Sequence, residues 1–310
     1  MTHWLDDRDA LAESQARSIE IGRVWAGAIK AHVRAAFADA EPADLEQSAA
    51  AAERLLADDT WVGETLPLLM RALRNDPAFT PPLRIHRSAL RTLAVLHDGE
   101  HGIVSVNVIS SDVMASLPRP VSLVAGGRMS VLRYCKARGA TLKAWDAPMP
   151  AGDLAADAVP RCTPAGSIPL VDGMVLRLDG RTRAHVVEGA VADVVTLTVS
   201  LRAGAAAQAR EYSCDDGRLL LAAEVGDTES RMRMLMTLLR ISGRTDAGPC
   251  FDAATREPGF ALRWAAMREW LALDARAAMP RLAEMTGDAN AEVRAAARAT
   301  LAMVEERLAA

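Results

Sequence analysis

Hydrophobic positions change their period twice along this chain. Over residues 1–78 they recur every three to four residues, and Ile21, Val24, Trp25, Ile29, Val33 and Phe37 fall on one helical stripe. Pro42 suits the first turn of a second helix carrying Leu45, Ala49, Ala52 and Leu56. Asp59 or Thr60 can cap a third, with Leu66, Leu69, Met70 and Leu73 as its apolar positions. Asn75-Asp76-Pro77 ends it, because the residue before a proline avoids the α region. Thr80-Pro81-Pro82 then reads as a linker.

Over residues 83–226 the period becomes two. Val195, Leu197, Val199 and Leu201 alternate with Thr196, Thr198 and Ser200, and Val104, Val106 and Val108 alternate with Ser105 and Asn107. Asp98-Gly99, Gly126-Gly127, Asp172-Gly173, Asp179-Gly180 and Asp216-Gly217 supply the positive φ that tight hairpins need. About ten short strands without a long helix between them predict an antiparallel sandwich or barrel. The polar strand face, Ser105, Asn107, Thr196, Thr198 and Ser200, is expected to meet solvent or a packed helix, and inside a barrel it would line a ligand site. Residues 148–168, rich in Pro, Gly and Ala, read as a long loop. Over residues 227–310 the helical period returns, with Met232, Leu235, Met236, Leu238 and Leu239 in one helix and Gly243 at a left-handed helix end. The prediction is an α+β protein in three parts: a helical segment 1–78, an antiparallel β domain 83–226 and a helical domain 227–310.

Composition sharpens this outline. At 310 residues the chain exceeds what one core normally serves, and aromatics at 4% make that core mostly Ala, Leu and Val. The formal net charge is −4 with both signs interspersed, which argues against a nucleic-acid surface. No apolar run is long enough to predict a membrane span. The acidic start, Met1-Thr2-His3-Trp4-Leu5-Asp6-Asp7, does not read as an export signal. Cys135, Cys162, Cys214 and Cys250 form no Cys-x-x-Cys pair. A cytoplasmic protein with reduced thiols is expected.

The tail repeats itself. Leu262-Arg263-x-x-Ala266 is followed, 31 residues on, by Val293-Arg294-x-x-Ala297, each with a large residue four positions later, Trp270 and Leu301. With Asp288 ahead of Val293, this segment resembles HEAT repeats. The resemblance implies stacked helical pairs whose Arg bonds a neighbouring turn, and a surface for a protein partner or a second copy of the chain. The helix surfaces around Arg263, Trp264, Trp270 and Arg294 are the candidate contact. The stretch Asp172-Gly173-Met174-Val175-Leu176-Arg177-Leu178-Asp179-Gly180, followed by His185 and the 194–201 strand, resembles the cupin superfamily, though the His-x-His of its metal motif is absent.

His97-Asp98-Gly99-Glu100-His101 is the densest set of possible metal ligands. A two-residue Asp98-Gly99 loop, which the dipeptide favours, pairs His97 with Glu100 and turns His101 away. A three-residue loop would set His97 opposite His101. His86 and His185 complete the candidate ligands for a divalent metal, with Glu100 or Glu188. Cys135 beside Lys136 reads as a structural thiol. No phosphate loop, Gly-x-Ser-x-Gly or His-Glu-x-x-His occurs. Two functions remain open. One is a non-catalytic binding or scaffold protein using the helical tail. The alternative is a metal-dependent cupin-type enzyme, an oxygenase or isomerase acting on a small molecule, with a metal-free small-molecule sensor as a third possibility.

Overall fold

A computed structural model describes residues 8–118, 120–149, 159–225, 227–257 and 259–309. The acidic Met1–Asp7 stretch and residues 150–158 of the expected loop lie outside the described residues. The chain separates into two compact units, one running to Ala147 and resuming over Thr163–Ala206, the other made of Pro148–Cys162 and Ala207 onward. The N-terminal helices therefore belong with most of the strands, and the last hairpin belongs with the tail.

The first unit opens with helices α1 (Arg8–Ala36), α2 (Leu45–Ala57) and α3 (Thr60–Asn75). Trp25, Ile29, Val33 and Phe37 form the buried stripe of α1, while Val24 faces outward. Asp44, not Pro42, begins α2: its carboxylate accepts from the Gln47 amide at 3.0 Å. In α3 the buried line is Trp61, Thr65, Leu69 and Ala72, leaving Leu66, Met70 and Leu73 exposed. Strands β1 (Arg84–Arg87), β2 (Arg91–Asp98) and β3 (Gly102–Ile109) follow, then a short α4 (Ser111–Ser116). Next come β4 (Ser122–Ala125), β5 (Met129–Lys136), β6 (Thr141–Asp146), β7 (Thr163–Pro169), β8 (Val175–Asp179), β9 (Arg183–Glu188) and β10 (Val194–Leu201). Part of the stretch expected to be loop is thus strand β7. Its exposed Pro- and Gly-rich residues sit on a sheet edge, where a missing N–H is tolerated.

Six strands form an antiparallel sheet in the order β1-β2-β3-β10-β5-β8, and β7-β6-β9 form a second. The two share a core of Tyr134, Leu142, Leu170, Leu178 and Val194. Facing antiparallel sheets in the middle region agree with the cupin-like expectation. The helices cover the opposite face of the larger sheet, where Ala52, Leu55 and Leu56 join Val104, Val131, Leu197 and Val199 in one core. Each fully buried Leu or Val there contributes roughly 1.5–3 kcal/mol. Two arginines on the same face tie the helices down. Arg133 donates to the α2 end carbonyls of Leu56 and Ala57 at 3.1 and 3.0 Å and pairs with Asp59. Arg177 binds Glu53 through two nitrogens at 2.6 and 2.7 Å and reaches Glu46 as well.

The second unit holds hairpin β11 (Gln208–Ser213) and β12 (Leu219–Glu224), then α5 (Asp227–Ile241), α6 (Gly248–Ala254), α7 (Phe260–Leu273), α8 (Ala275–Met285) and α9 (Ala291–Ala309). Phe251, Ala266, Met267, Ala278 and Leu282 fill the helical core. The repeat is visible in bonding as well as in sequence. Arg263 donates to the carbonyl of Glu257 and Arg294 to that of Asp288, each six residues back. Asp288 in turn takes both ends of the Arg263 fork at 3.0 and 2.7 Å, and Asn290 caps α9.

Candidate functional site

Residues directly opposite in an antiparallel ladder project to the same face. One row across the larger sheet therefore runs His86, Leu93, Asn107, Thr196, Tyr134, and the next runs Arg84, Val95, Ser105, Thr198, Leu132, Leu176. A bulge at Val195/Thr196 sends Tyr134 to this face and Cys135 to the helix side. Leu132, Tyr134 and Leu176 meet Leu142, Ala144 and Val187 of the smaller sheet, so this is the inner face, enclosed between sheets. The polar strand face therefore looks inward, and the apolar face is the seat of the helices, the reverse of a solvent or helix-packed polar face. Ser105, Asn107 and Thr196 are buried on it. Asn107 donates to Thr198 Oγ1 at 3.2 Å, while its Oδ1 is buried without a hydrogen-bond partner.

His185 pairs with Ala144 and lies two residues from Val187, so it faces the same interior. Its side chain is exposed. Even so, lost solvation is the largest cause that holds its pKa below the ordinary histidine value, with the nearby positive charge of Arg91 adding to it. Protein lies close around the ring while its surface stays open. Arg91 stands opposite Ile109 at the end of the same face. An uncharged imidazole beside a guanidinium can accept a proton while the arginine holds an anionic group.

The other two histidines lie across the sheet. The β2–β3 loop has three residues, Gly99, Glu100 and His101, and a bulge between Val95 and His97 pairs His97 with Val104. The two-residue loop expected from Asp98-Gly99 is not formed, and His97 pairs with neither Glu100 nor His101. Both histidines instead border a cavity of about 620 Å³ between this hairpin and the end of α1. The His101 ring packs on Phe37 with centroids 4.7 Å apart. Burial, the largest cause, with the charge of Lys30, lowers the His97 pKa against an opposing pull from Asp98. Arg84 and Arg202 hold Asp98 at 2.7 and 2.6 Å and keep its carboxyl below the usual range.

The four histidines are thus split into His86 and His185 within, and His97 and His101 without. Among the described residues no three His, Cys, Asp or Glu side chains converge to hold a metal ion. Glu188 pairs with Lys143 at 2.7 Å. The Cys135 thiol is pushed up by burial and then by Asp59, which suits a structural role. In the tail, Arg263 is committed to Asp288, Trp270 is buried against Phe251, and Trp264 is half-buried against the core. Trp264 keeps part of its surface open, and Arg294 donates to the Asp288 and Ala289 carbonyls of its own turn. Sequence reasoning missed Arg91 and Lys30. Nothing in their local pattern separates them from the other scattered cations; only strand register and helix packing select them.

No family model matches the chain, and no curated protein matches it. Several solved structures align with part of the chain. Momordica charantia 7S globulin is 12% identical with a TM-score of 0.27, over 42% of this chain and 35% of that one. The capsular polysaccharide assembling protein CapF from Staphylococcus aureus is 11% identical with a TM-score of 0.28, over 53% and 40%. Hydroxypropylphosphonic acid epoxidase from S. wedmorenis, in complex with fosfomycin, is 14% identical with a TM-score of 0.26, over 57% and 97%. The match spans well under half the length of the globulin and of CapF. No functional assignment follows from likenesses at this level. Among the described residues no helix is long and apolar enough to cross a membrane.

Proposed function

We propose that the first unit is a cupin-like enzyme of the isomerase type, which receives a small anionic molecule in the recess of its inner face. His185 is the acid–base group and Arg91 the anchor for the negative charge. Asn107 Oδ1 accepts a hydrogen bond from a ligand hydroxyl, the partner it lacks within the protein. The observation that carries this reading is the His185 ring, accessible yet desolvated enough to stay uncharged. His185 takes the proton from a hydroxyl-bearing carbon next to a carbonyl and returns it to the former carbonyl carbon, while the hydroxyl proton passes through solvent to the former carbonyl oxygen, so there is no net oxidation or reduction. A divalent metal would need at least three converging ligands, and the described residues supply no such group, so no step is derived through one.

The test is a panel of small hydroxy and keto acids followed through the His185 ring resonances, with turnover read as deuterium entering the substrate from D₂O. A binder should shift His185 and lose affinity in Arg91→Ala. In His185→Gln it should still bind but incorporate no deuterium. If no panel member perturbs His185, or exchange survives His185→Gln, the reading fails.

A second reading rests on a different observation. Met234, Leu235, Leu238 and Ile241 leave an apolar stripe of α5 exposed, as a partner-binding helical tail of HEAT-like build would. The equivalent Arg263 and Arg294 bonds support that build. Sedimentation of the whole chain and of Leu238→Glu tests it: self-association through this stripe requires a dimer that the variant disperses.

A further inference from the structure

We propose that the cavity between the last turns of α1 and the β2–β3 hairpin is a second binding site, for a small aromatic carboxylate. It lies on the helix-covered side of the sheet. His97 pairs with Val104, whose side chain belongs to the helix-side core, whereas Asn107 and His185 face between the sheets. The volume, about 620 Å³, is within the ordinary range for ligand sites, roughly 300–1,000 Å³.

Three features specify the ligand. The wall is apolar and aromatic: Val33, Phe37, Val104 and Val199 border it, and the His101 ring packs on Phe37 at a tilt of 38°. A flat ring fits against such a surface by offset stacking. The second feature is charge. Lys30 and Arg34, one turn apart on α1, both border the cavity, and neither takes part in an ion pair among the described residues. Asp98, the nearest acid on the hairpin, is already neutralised by Arg84 and Arg202. Glu41 and Glu100 also border the cavity, so the site carries both signs and suits one carboxylate better than a phosphate dianion. The third is His97. Its ring lies so close to Gly99 that a Cβ there would come within 2.6 Å of Nε2, so the glycine leaves the imidazole room against the turn. A bound carboxylate would favour the charged imidazole that burial and Lys30 now disfavour.

Benzoate is the probe, with benzyl alcohol and benzylamine as controls, all added to the full chain. His97 and His101 ring resonances and calorimetry report binding. Benzoate should bind saturably, shift both histidines and raise the His97 midpoint. The double variant Lys30→Ala, Arg34→Ala should weaken it about five- to tenfold, the loss expected for two partly exposed charge contacts. Both side chains are exposed, so the variant should keep its thermal transition; Lys30→Gln with Arg34→Gln repeats the test if it does not. His185→Gln should leave benzoate affinity unchanged, which separates this site from the inner face. Absence of a saturable shift, equal affinity for benzyl alcohol, or affinity indifferent to both double variants would overturn the proposal.

Discussion

The two faces of the six-stranded sheet are made from the same strands and serve opposite ends. On the helix side Val104, Val131, Leu197 and Val199 are almost fully buried in the core they share with α1 and α2, Val104 and Val199 at the floor of the cavity beside α1. Between the sheets, one residue along each strand, stand Ser105, Asn107 and Thr196, with His86 and Arg91 farther out. The first face is apolar along its strands and locked by Arg133 and Arg177, although Trp25 Nε1 in the α1 layer above it is buried without a partner. The second leaves Asn107 Oδ1 without a partner, which costs about 1–3 kcal/mol for a buried group. A protein selected only for stability would repair that position with an apolar residue. An unpaired acceptor on an enclosed polar face is what the proposed binding role on that face would use.

The sharpest way to break this contrast is to truncate one residue on each side. Leu56→Ala on the helix side removes a fully buried side chain and should destabilise the unit by about 2–5 kcal/mol. Asn107→Leu, equally buried, should cost little or even stabilise, because both an unpaired acceptor and a weak hydrogen bond disappear. Urea unfolding of both variants decides. A loss at Asn107 as large as that at Leu56 would mean that the inner face is core and not site.

Two smaller effects probe how the faces are held. A Cβ at Gly102 would lie 2.4 Å from the Ser200 carbonyl oxygen, a backbone atom that cannot swing aside. Gly102→Ala should therefore cost about 1–3 kcal/mol by forcing β3 away from β10, seen as faster amide exchange along that pair. Arg177→Met should cost about 1 kcal/mol, a modest figure because Glu46 and Glu53 are both well exposed. The Glu53 carboxyl, which Arg177 holds below its ordinary pKa, should titrate higher in that variant.

Much of this architecture is legible in the sequence, and the failures have physical causes. The alternation at 194–201 and 104–108 locates the strands, because a pleat sends successive side chains to opposite faces. It does not say which face is outside. Polar positions default to water, and here helices encoded more than fifty residues earlier claim the apolar side. Ala49, Ala52 and Leu56 show a stripe in need of a partner, but the partner, β5 and β10, is remote in sequence. At the hairpin tip the chain turns beyond Asp98-Gly99, with the Gly99 amide bonded to the Gly102 carbonyl, and this carries His97 across to Val104, off both pairings that an Asp98-Gly99 turn allows. In the tail Arg263 and Arg294 each bond a carbonyl six residues back, as their matching positions in the sequence suggest, while Trp270 is large enough to be drawn into the core.

The smallest expected effect asks which face titrates. His185 within and His97 on the helix side both have pKa values held below the ordinary 6.5, chiefly by burial. Between that folded value and 6.5 the unfolded chain carries a proton that the native one does not, so stability is full above 6.5 and declines as pH falls, levelling off below the folded pKa. Glu53 and Asp98, with lowered carboxyl pKa values, act in a separate window that opens only below their ordinary 4.5 and 3.8. The upper window therefore belongs to the histidines. Its slope is at most about 1.4 kcal/mol per pH unit for each, and less for His185 because water reaches its ring. Thermal midpoints across this window for His185→Asn and His97→Asn apportion it. If His97→Asn alone flattens the slope, His185 titrates as it would in water and the recess is open surface. If His185→Asn removes its share, the inner face desolvates its base, and an anion bound beside Arg91 should raise that midpoint again.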